Sequence, residues 1–297
     1  MELNSVVLIE NRRDFSNFLQ ELENSTHVAI DTESNSFYAY FNRVCLIQVS
    51  TSEQDYIIDP LSVGDIHDLG ETLSNPDVEK IFHAAPNDIA GLKRDFKFVV
   101  HNVFDTSIAA KILGYKQLGL APILQEHFGV SLNKKWQRYD WGKRPLKEEQ
   151  IEYARFDTHF LIPLRHRLAC ELEEKQLFDS AREAFEKLCT QQIVKKHFRP
   201  GDFLHICGAQ SLDVVGKRVL KALYLFREKE ARRRDRAPFR VLTNETLLKI
   251  ALQRPKSVQD FNKIKGIPRV YLSSHAAFQL LDLIRRSEEQ EDEAAVK

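Results

Sequence analysis

Nowhere does the 297-residue chain hold an apolar run approaching ~18 residues, which excludes a helix that crosses a membrane. Cysteine is scarce, and the four present, Cys45, Cys170, Cys189 and Cys207, show no Cys-x-x-Cys spacing. That argues against a zinc site and a disulfide framework, and leaves small buried hydrophobes in a reducing cytoplasm as the expected role. The start, Met1-Glu2-Leu3-Asn4, has neither a basic n-region nor an apolar h-region, so no signal peptide is expected. Internal repeats and long low-complexity stretches are also lacking, and net charge is zero, with 43 Lys and Arg against 43 Asp and Glu.

The zero hides an asymmetry. Residues 1–204 hold about 24 basic against about 31 acidic side chains, whereas residues 205–286 hold about 18 against about 7. An acidic front and a basic rear point to a metal-dependent enzyme joined to a nucleic-acid-binding module. Pro200-Gly201 is the best break between them. The expected units are 1–199, 200–287 and an acidic, frayed tail over 288–297.

In the front part, Val6–Ile9, Val28–Ile30, Val44–Val49, Tyr56–Ile58 and Lys80–His83 read as strands, with a helix over 12–24 and further helices from about 87, 105 and 119. The closely spaced early strands suggest antiparallel neighbours. A mixed sheet flanked by helices follows, then helices only, including four near 212–235, 243–252, 257–263 and 270–285.

Four acids stand out. Asp31 and Glu33 lie two apart where an apolar strand ends, so both point to one face. Asp88 opens a helix, and read alone is a first-turn acid. Asp157 follows Tyr153 by four positions in what reads as one long helix, with Ile151, Ala154, Leu161, Leu164 and Leu168 as its apolar face. Acids crowded together repel unless cations sit among them. Carboxylates without His or Cys suit Mg²⁺ or Mn²⁺ and not zinc.

Residues 131–147 interleave Lys134, Lys135, Arg138 and Arg144 with Trp136, Tyr139 and Trp141. Two readings stay open: rings stacking on unpaired bases beside phosphate-binding cations, or a loop tucking its tryptophans onto the core. Near the end of the first rear helix, Arg232, Arg233, Arg234 and Arg236 form a basic cluster that suits a polyanion, or merely a solvated helix end.

The order Asp31-x-Glu33, Asp88, Tyr153-x-x-x-Asp157 resembles the tyrosine-type DEDD 3′→5′ exonucleases. Phe82-His83-Ala84-Ala85-Pro86-Asn87-Asp88, and Leu132-Asn133-Lys134-Lys135-Trp136-Gln137-Arg138 through Asp140-Trp141, Arg144-Pro145-Leu146 and Glu149-Gln150 to Asp157, narrow the resemblance to ribonuclease D over about residues 5–195. Leu225-Phe226-Arg227-Glu228, Pro238-Phe239-Arg240-Val241-Leu242 and Pro255 to Gly266 resemble an HRDC domain over about 208–286. Some ribonuclease D proteins carry two such domains, and this chain has room for one.

The resemblance implies an RNase H-like catalytic fold and two Mg²⁺ or Mn²⁺ ions. Asp31 would bridge both ions, Glu33 and Asp157 would hold the one that binds the nucleophile, and Asp88 would help hold the other. Tyr153 would orient the attacking water. The expected reaction removes 3′-terminal nucleotides as 5′-monophosphates, from tRNA precursors or other structured RNA. DNA as substrate and an inactive nucleic-acid-binding protein are the alternatives.

Overall fold

The computed structural model describes residues 4–190, 198–273 and 275–289. Two units emerge, one of residues 1–35 and 43–194, the other of 36–42 and 195–297. The division falls ahead of Pro200-Gly201, which opens a short 3-10 turn, Pro200–His205, of the second unit. The segment 36–42 was not foreseen as part of that unit.

In the first unit six strands form one sheet: β1 Val7–Ile9, β2 His27–Ser34, β3 Val44–Ser50, β4 Asp55–Ile58, β5 Glu79–Phe82 and β6 Val103–Asp105. Their order is β1-β4-β3-β2-β5-β6. β2, β3 and β4 are antiparallel neighbours, as their short connections dictate, while β1–β4, β2–β5 and β5–β6 pair in parallel. The three-residue β6 carries too little pattern to be read from sequence.

Alternation along β2 divides the core. Val28 and Ile30 join the cluster that buries Phe15, Phe18 and Leu22 of the helix Arg12–Leu22 and Ile89 and Leu92 of the helix Pro86–Phe96. Ala29 points the other way, into the cluster with Ile81, Phe104 and the apolar face of the helix Leu161–Glu174. Asp31 and Glu33 continue the register of Ala29, so the same period of two that buries Ala29 delivers both acids to one face.

The rear unit is helical, built on Val214–Arg233, Asn244–Gln253 and His275–Glu289 with shorter turns between them. Its core gathers Leu220, Leu223, Leu247, Ile250, Phe261, Leu280 and Ile284. Gly208 is required where it stands: its φ is +90°, and a Cβ there would meet Leu248 Cδ2 at 2.7 Å. The last helix takes in Glu288 and Glu289, which therefore do not belong to the tail expected from 288, and the rest of that expected tail, 290–297, lies outside the described residues.

Among the described residues no helix is long and apolar enough to cross a membrane. All four cysteines are free thiols. Cys45 is buried and Cys189 partly so, but Cys170 and Cys207 are exposed, so the expectation of buried hydrophobes fails for those two. Cys170 lies on the exposed side of the helix Leu161–Glu174, and Cys207 sits in the turn between the 3-10 segments Pro200–His205 and Ala209–Ser211.

Candidate active site

β2 sets Asp31 and Glu33 on one face, and the helix Pro86–Phe96 brings Asp88 to the same place. The turn ahead of that helix is seated by the buried Asp105, whose carboxylate accepts from the backbone N–H groups of Ala84 at 3.1 Å and Ala85 at 2.8 Å. Asp88 is itself tied to β2: Thr32 donates to its Oδ1 from the backbone at 3.2 Å and from the hydroxyl at 2.6 Å. Asp88 is therefore more than a first-turn acid, since its side chain is buried against the strand that carries the other two.

Asp157 arrives differently from expectation. The long helix is two helices, Glu148–Arg155 and Leu161–Glu174, and Asp157 sits in the turn between them. The hydrogen bonds there tighten from the helical pattern: Phe156 N–H donates to Tyr153 O, Asp157 N–H to Ala154 O and Thr158 N–H to Arg155 O, each at 3.2 Å. Pro163 gives a physical reason. It has no N–H for a continuous helix, and it stands in the first turn of the second one, where that donor is not needed.

A buried polar knot pins this turn to the sheet. The Asp55 carboxylate, at the start of β4, accepts from Arg155 Nε at 2.7 Å and from Ser50 Oγ at 2.6 Å, and pairs with His159 Nδ1 at 2.8 Å. Thr158 and Ser50 hydroxyls meet at 2.7 Å. Burial alone would raise the Asp55 pKa, but the hydrogen bonds from His159, Ser50 and Arg155 outweigh it and keep the carboxyl below its ordinary value. None of these residues was singled out from the sequence. Arg155 and His159 flank Asp157, which was the available signal.

The electrostatics show four acids brought together. Asp31, Glu33 and Asp157 are half-buried and Asp88 is buried. Burial, then the charges of Asp88, Asp157 and Glu33, push Asp31 well above the usual carboxylate range. Glu33 rises for the same reasons, through burial, Asp157 and Asp88. Asp157 is pushed up to about 7 by burial and by Asp88. Asp88 reaches about 6 through burial, against the lowering effect of its hydrogen bonds from Thr32. The Tyr153 phenol is also raised, by burial and then by Asp157, Glu33 and Asp31, so it keeps its proton and is available as a donor. The five residues picked out by their order thus share one electrostatic neighbourhood.

A cleft of about 740 Å³ opens from Tyr153 and Asp157 along Lys134, Lys135, Trp136 and Leu120. Lys135 lies over the Trp136 ring, 4.6 Å from its centroid, and pairs with Glu149 at 3.0 Å. His83 lies on the wall, where burial lowers its pKa, and its Nδ1 is 2.9 Å from the Thr106 hydroxyl. Arg138 is exposed and does not line the cleft.

Two residues of the 131–147 stretch correct the nucleic-acid reading. Trp141 is 1% exposed and cannot stack on a base. It closes a run of rings from Trp136 through Tyr139 to Tyr153, with centroids 5.2, 5.5 and 6.0 Å apart, and so backs the Tyr153 ring from behind. Arg144 is bound to Asp59 through Nε at 2.5 Å and Nη2 at 2.7 Å, and also donates to Cys45 O at 2.9 Å. Asp59 is fully buried, so the guanidinium is committed to neutralising it. The reading of a loop tucked onto the core therefore holds for Trp141 and Arg144, while Lys134, Lys135 and Trp136 line the cleft.

The rear cluster is likewise divided. Arg233 and Arg234 both pair with Glu230, which leaves them less able to meet phosphate than expected. Arg232 and Arg236 are exposed at the end of the helix Val214–Arg233.

Among the described residues no three acid, His or Cys side chains already stand in ligating geometry, and no Lys, Arg or His forms an ion pair with any of the four acids. The donor set nonetheless fits divalent ions. Hard carboxylate oxygens are held in a partly buried cluster whose mutual repulsion a cation would relieve.

Comparison with known proteins agrees with this geometry. Residues 6–173 match the family described as 3′-5′ exonuclease, and residues 216–284 match the HRDC domain. The mouse exosome complex component 10 is 35% identical over 239 residues, which are 78% of this chain and 27% of that protein. The Saccharomyces cerevisiae exosome complex exonuclease RRP6 is 28% identical over 267 residues, covering 85% of this chain and 36% of its own length. This chain thus spans only about a quarter to a third of these relatives. Among solved structures, the catalytic core of RRP6 from Trypanosoma brucei superposes with a TM-score of 0.88 at 28% identity, over 97% of this chain and 81% of that one. Escherichia coli RNase D, an exoribonuclease involved in structured RNA processing, gives 0.72 at 26% identity, over 98% and 77%. A sheet that delivers Asp31 and Glu33, a helix that adds Asp88 and a turn that adds Asp157 are the frame of such an enzyme, and the chain belongs to the 3′-5′ exonuclease family, with an HRDC domain following the exonuclease domain.

Proposed function

We propose that the chain is a metal-dependent 3′→5′ exoribonuclease that removes terminal nucleotides as nucleoside 5′-monophosphates. The observation that carries this reading is the gathering of Asp31, Glu33, Asp88 and Asp157 beside a protonated Tyr153 at one end of a cleft walled by Lys134, Lys135 and Trp136. Asp31, Glu33, Asp88 and Asp157 would hold two Mg²⁺ or Mn²⁺ ions, which when bound supply hydroxide near neutral pH and stabilise charge on the scissile phosphate. The protein's own groups do the rest. The Tyr153 phenol donates a hydrogen bond that orients the attacking oxygen, Lys134 and Lys135 offset phosphate charge, and Trp136 offers a face to an unpaired base.

Single-stranded 3′ ends of structured RNA, tRNA precursors included, are the substrates we assign. The likeness to Escherichia coli RNase D, an exoribonuclease, supports RNA over DNA. Relatives named as exosome components support a protein assembly as a further partner. A cytoplasmic location is part of the proposal and rests on the cysteine pattern alone.

The test is hydrolysis of a 5′-labelled RNA oligonucleotide and its DNA counterpart, with Mg²⁺, with Mn²⁺ and with chelator. The reading expects RNA shortened stepwise from its 3′ end, nucleoside 5′-monophosphates as product, and no cleavage in chelator. Equal cleavage in chelator, internal cuts, or a preference for DNA would each overturn it.

A further inference from the structure

The segment Ser36–Asn42 starts soon after Glu33 in the chain, yet it belongs to the rear helical unit. It carries Phe37, Tyr38, Tyr40 and Phe41 within that short span. Several bonds lock it to the last turns of the helix Val214–Arg233 and to the turn that follows. Ala237 N–H donates to Tyr38 O at 2.9 Å, Phe41 N–H donates to Asp235 Oδ1 at 2.8 Å, and the Tyr40 hydroxyl donates to Glu228. Arg240 donates to Phe37 O, and its guanidinium lies 3.7 Å from the centroid of the Tyr38 ring.

This ordering turns Tyr40 partly into the rear core but leaves three rings in solvent: Phe37 is 46% exposed, Phe41 55% and Phe239 49%. A single exposed aromatic needs no explanation, but two on Ser36–Asn42 and a third on the segment hydrogen-bonded to it, through Ala237 and Arg240, make a surface. The charge around them is one-sided. The acids nearby are engaged, Glu228 by Tyr40, Asp235 by Phe41 N–H and Glu230 by Arg233 and Arg234. The excess is positive and comes from exposed Arg232 and Arg236 and from Arg240. Open rings among arginines complement a single-stranded nucleic acid, whose bases stack while its phosphates meet the cations. A protein partner would have to bring apolar pockets and an acidic surface together.

We propose that Ser36–Asn42 and the turn Arg232–Arg240 form one single-stranded RNA platform, with Phe37, Phe41 and Phe239 as stacking faces and Arg232 and Arg236 as phosphate contacts. This rests on the exoribonuclease reading for the identity of the nucleic acid, and it adds a binding surface that belongs wholly to the rear unit.

The test uses the full chain in chelator and a fluorescently labelled 12-nucleotide single-stranded RNA, with affinity measured by anisotropy over a range of salt. F37A/F41A should weaken binding roughly 10- to 100-fold with the salt slope unchanged, because stacking carries no counterion release. R232A/R236A should lower the slope by about 1.4, at ~0.7 per phosphate contact on a single strand. F37Y/F41Y keeps the rings and should restore affinity. Unaltered RNA affinity in F37A/F41A and R232A/R236A overturns the platform and leaves the surface to a protein partner. Equal loss in the Ala and Tyr variants also overturns it, since stacking is then not the cause. Unaltered thermal melting and unaltered far-ultraviolet circular dichroism verify that the variants fold. Absence of cleavage in the wild type would instead sink the enzyme reading, whatever the binding shows.

Discussion

Replacing Asp157 by Asn in the metal-free protein measures the repulsion held in the acid cluster. In the unfolded chain Asp157 ionises near 3.8, whereas in the folded protein burial and Asp88 delay ionisation to about 7. Between those values the folded state binds more protons than the unfolded one, so stability falls as pH rises through that window and levels off above it. Three pH units correspond to about 4 kcal/mol at pH 8, and to roughly 1 to 2 kcal/mol at pH 5. Asn removes the charge and keeps the shape. D157N should therefore be more stable than wild type at pH 8 by up to about 4 kcal/mol, with a smaller gain at pH 5. The gain includes relief of Asp31 and Glu33, which feel the Asp157 charge. Urea unfolding in chelator, followed by tryptophan fluorescence, is the assay. Both tryptophans of the chain, Trp136 and Trp141, lie in the exonuclease unit, so the signal reports that unit alone. A lower midpoint for D157N at pH 8, or wild-type stability that is flat from pH 5 to pH 8, would refute the electrostatic argument.

Tyr153→Phe removes only the hydroxyl from a ring backed by Trp141. Its kcat on RNA should fall by at least ~10²-fold with KM little changed, and an unaltered kcat would make Tyr153 a packing residue. Asp55→Ala breaks the knot with Arg155, Ser50 and His159 and strands a buried guanidinium, so unfolding should cost roughly 3 to 5 kcal/mol less, read by denaturant midpoint. A neutral effect would show that the turn bearing Asp157 is held by packing alone. Arg144→Ala leaves Asp59 buried without its partner and should destabilise by a similar ~3 to 5 kcal/mol while RNA affinity, measured under folding conditions, stays within about twofold. Lost affinity at unchanged stability would return Arg144 to the RNA contacts.

Much of this protein follows from local pattern. The period of two in Val28-Ala29-Ile30 continues into Asp31-Thr32-Glu33, and that alone places two carboxylates on one face. The amphipathic spacing of Phe15, Phe18 and Leu22 marks the first helix, and the charge contrast between front and rear marks two units. The order of acids with Tyr153, inside a long specific match, points to the exonuclease family before any coordinate is drawn.

What the pattern could not decide depends on partners far away in the chain. The side chain of Arg144 reads as a surface cation until Asp59, buried at the end of β4, takes it. Trp141 reads as a stacking ring until Cys45, Leu46, Ile57 and Ala154 close over it. The helix through Asp157 is periodic enough to look continuous; Pro163 is the local sign of a break, and Asp55 and Ser50, which draw Arg155, Thr158 and His159 onto the sheet, fix the turn in place. Residues 36–42 offer no periodicity that assigns them to either unit, and their bonds to Ala237, Asp235 and Arg240 decide it. Periodicity reports which side of an element avoids water. Which buried charge meets which partner is fixed by desolvation across the folded sheet, and that exists only once distant strands and helices have come together.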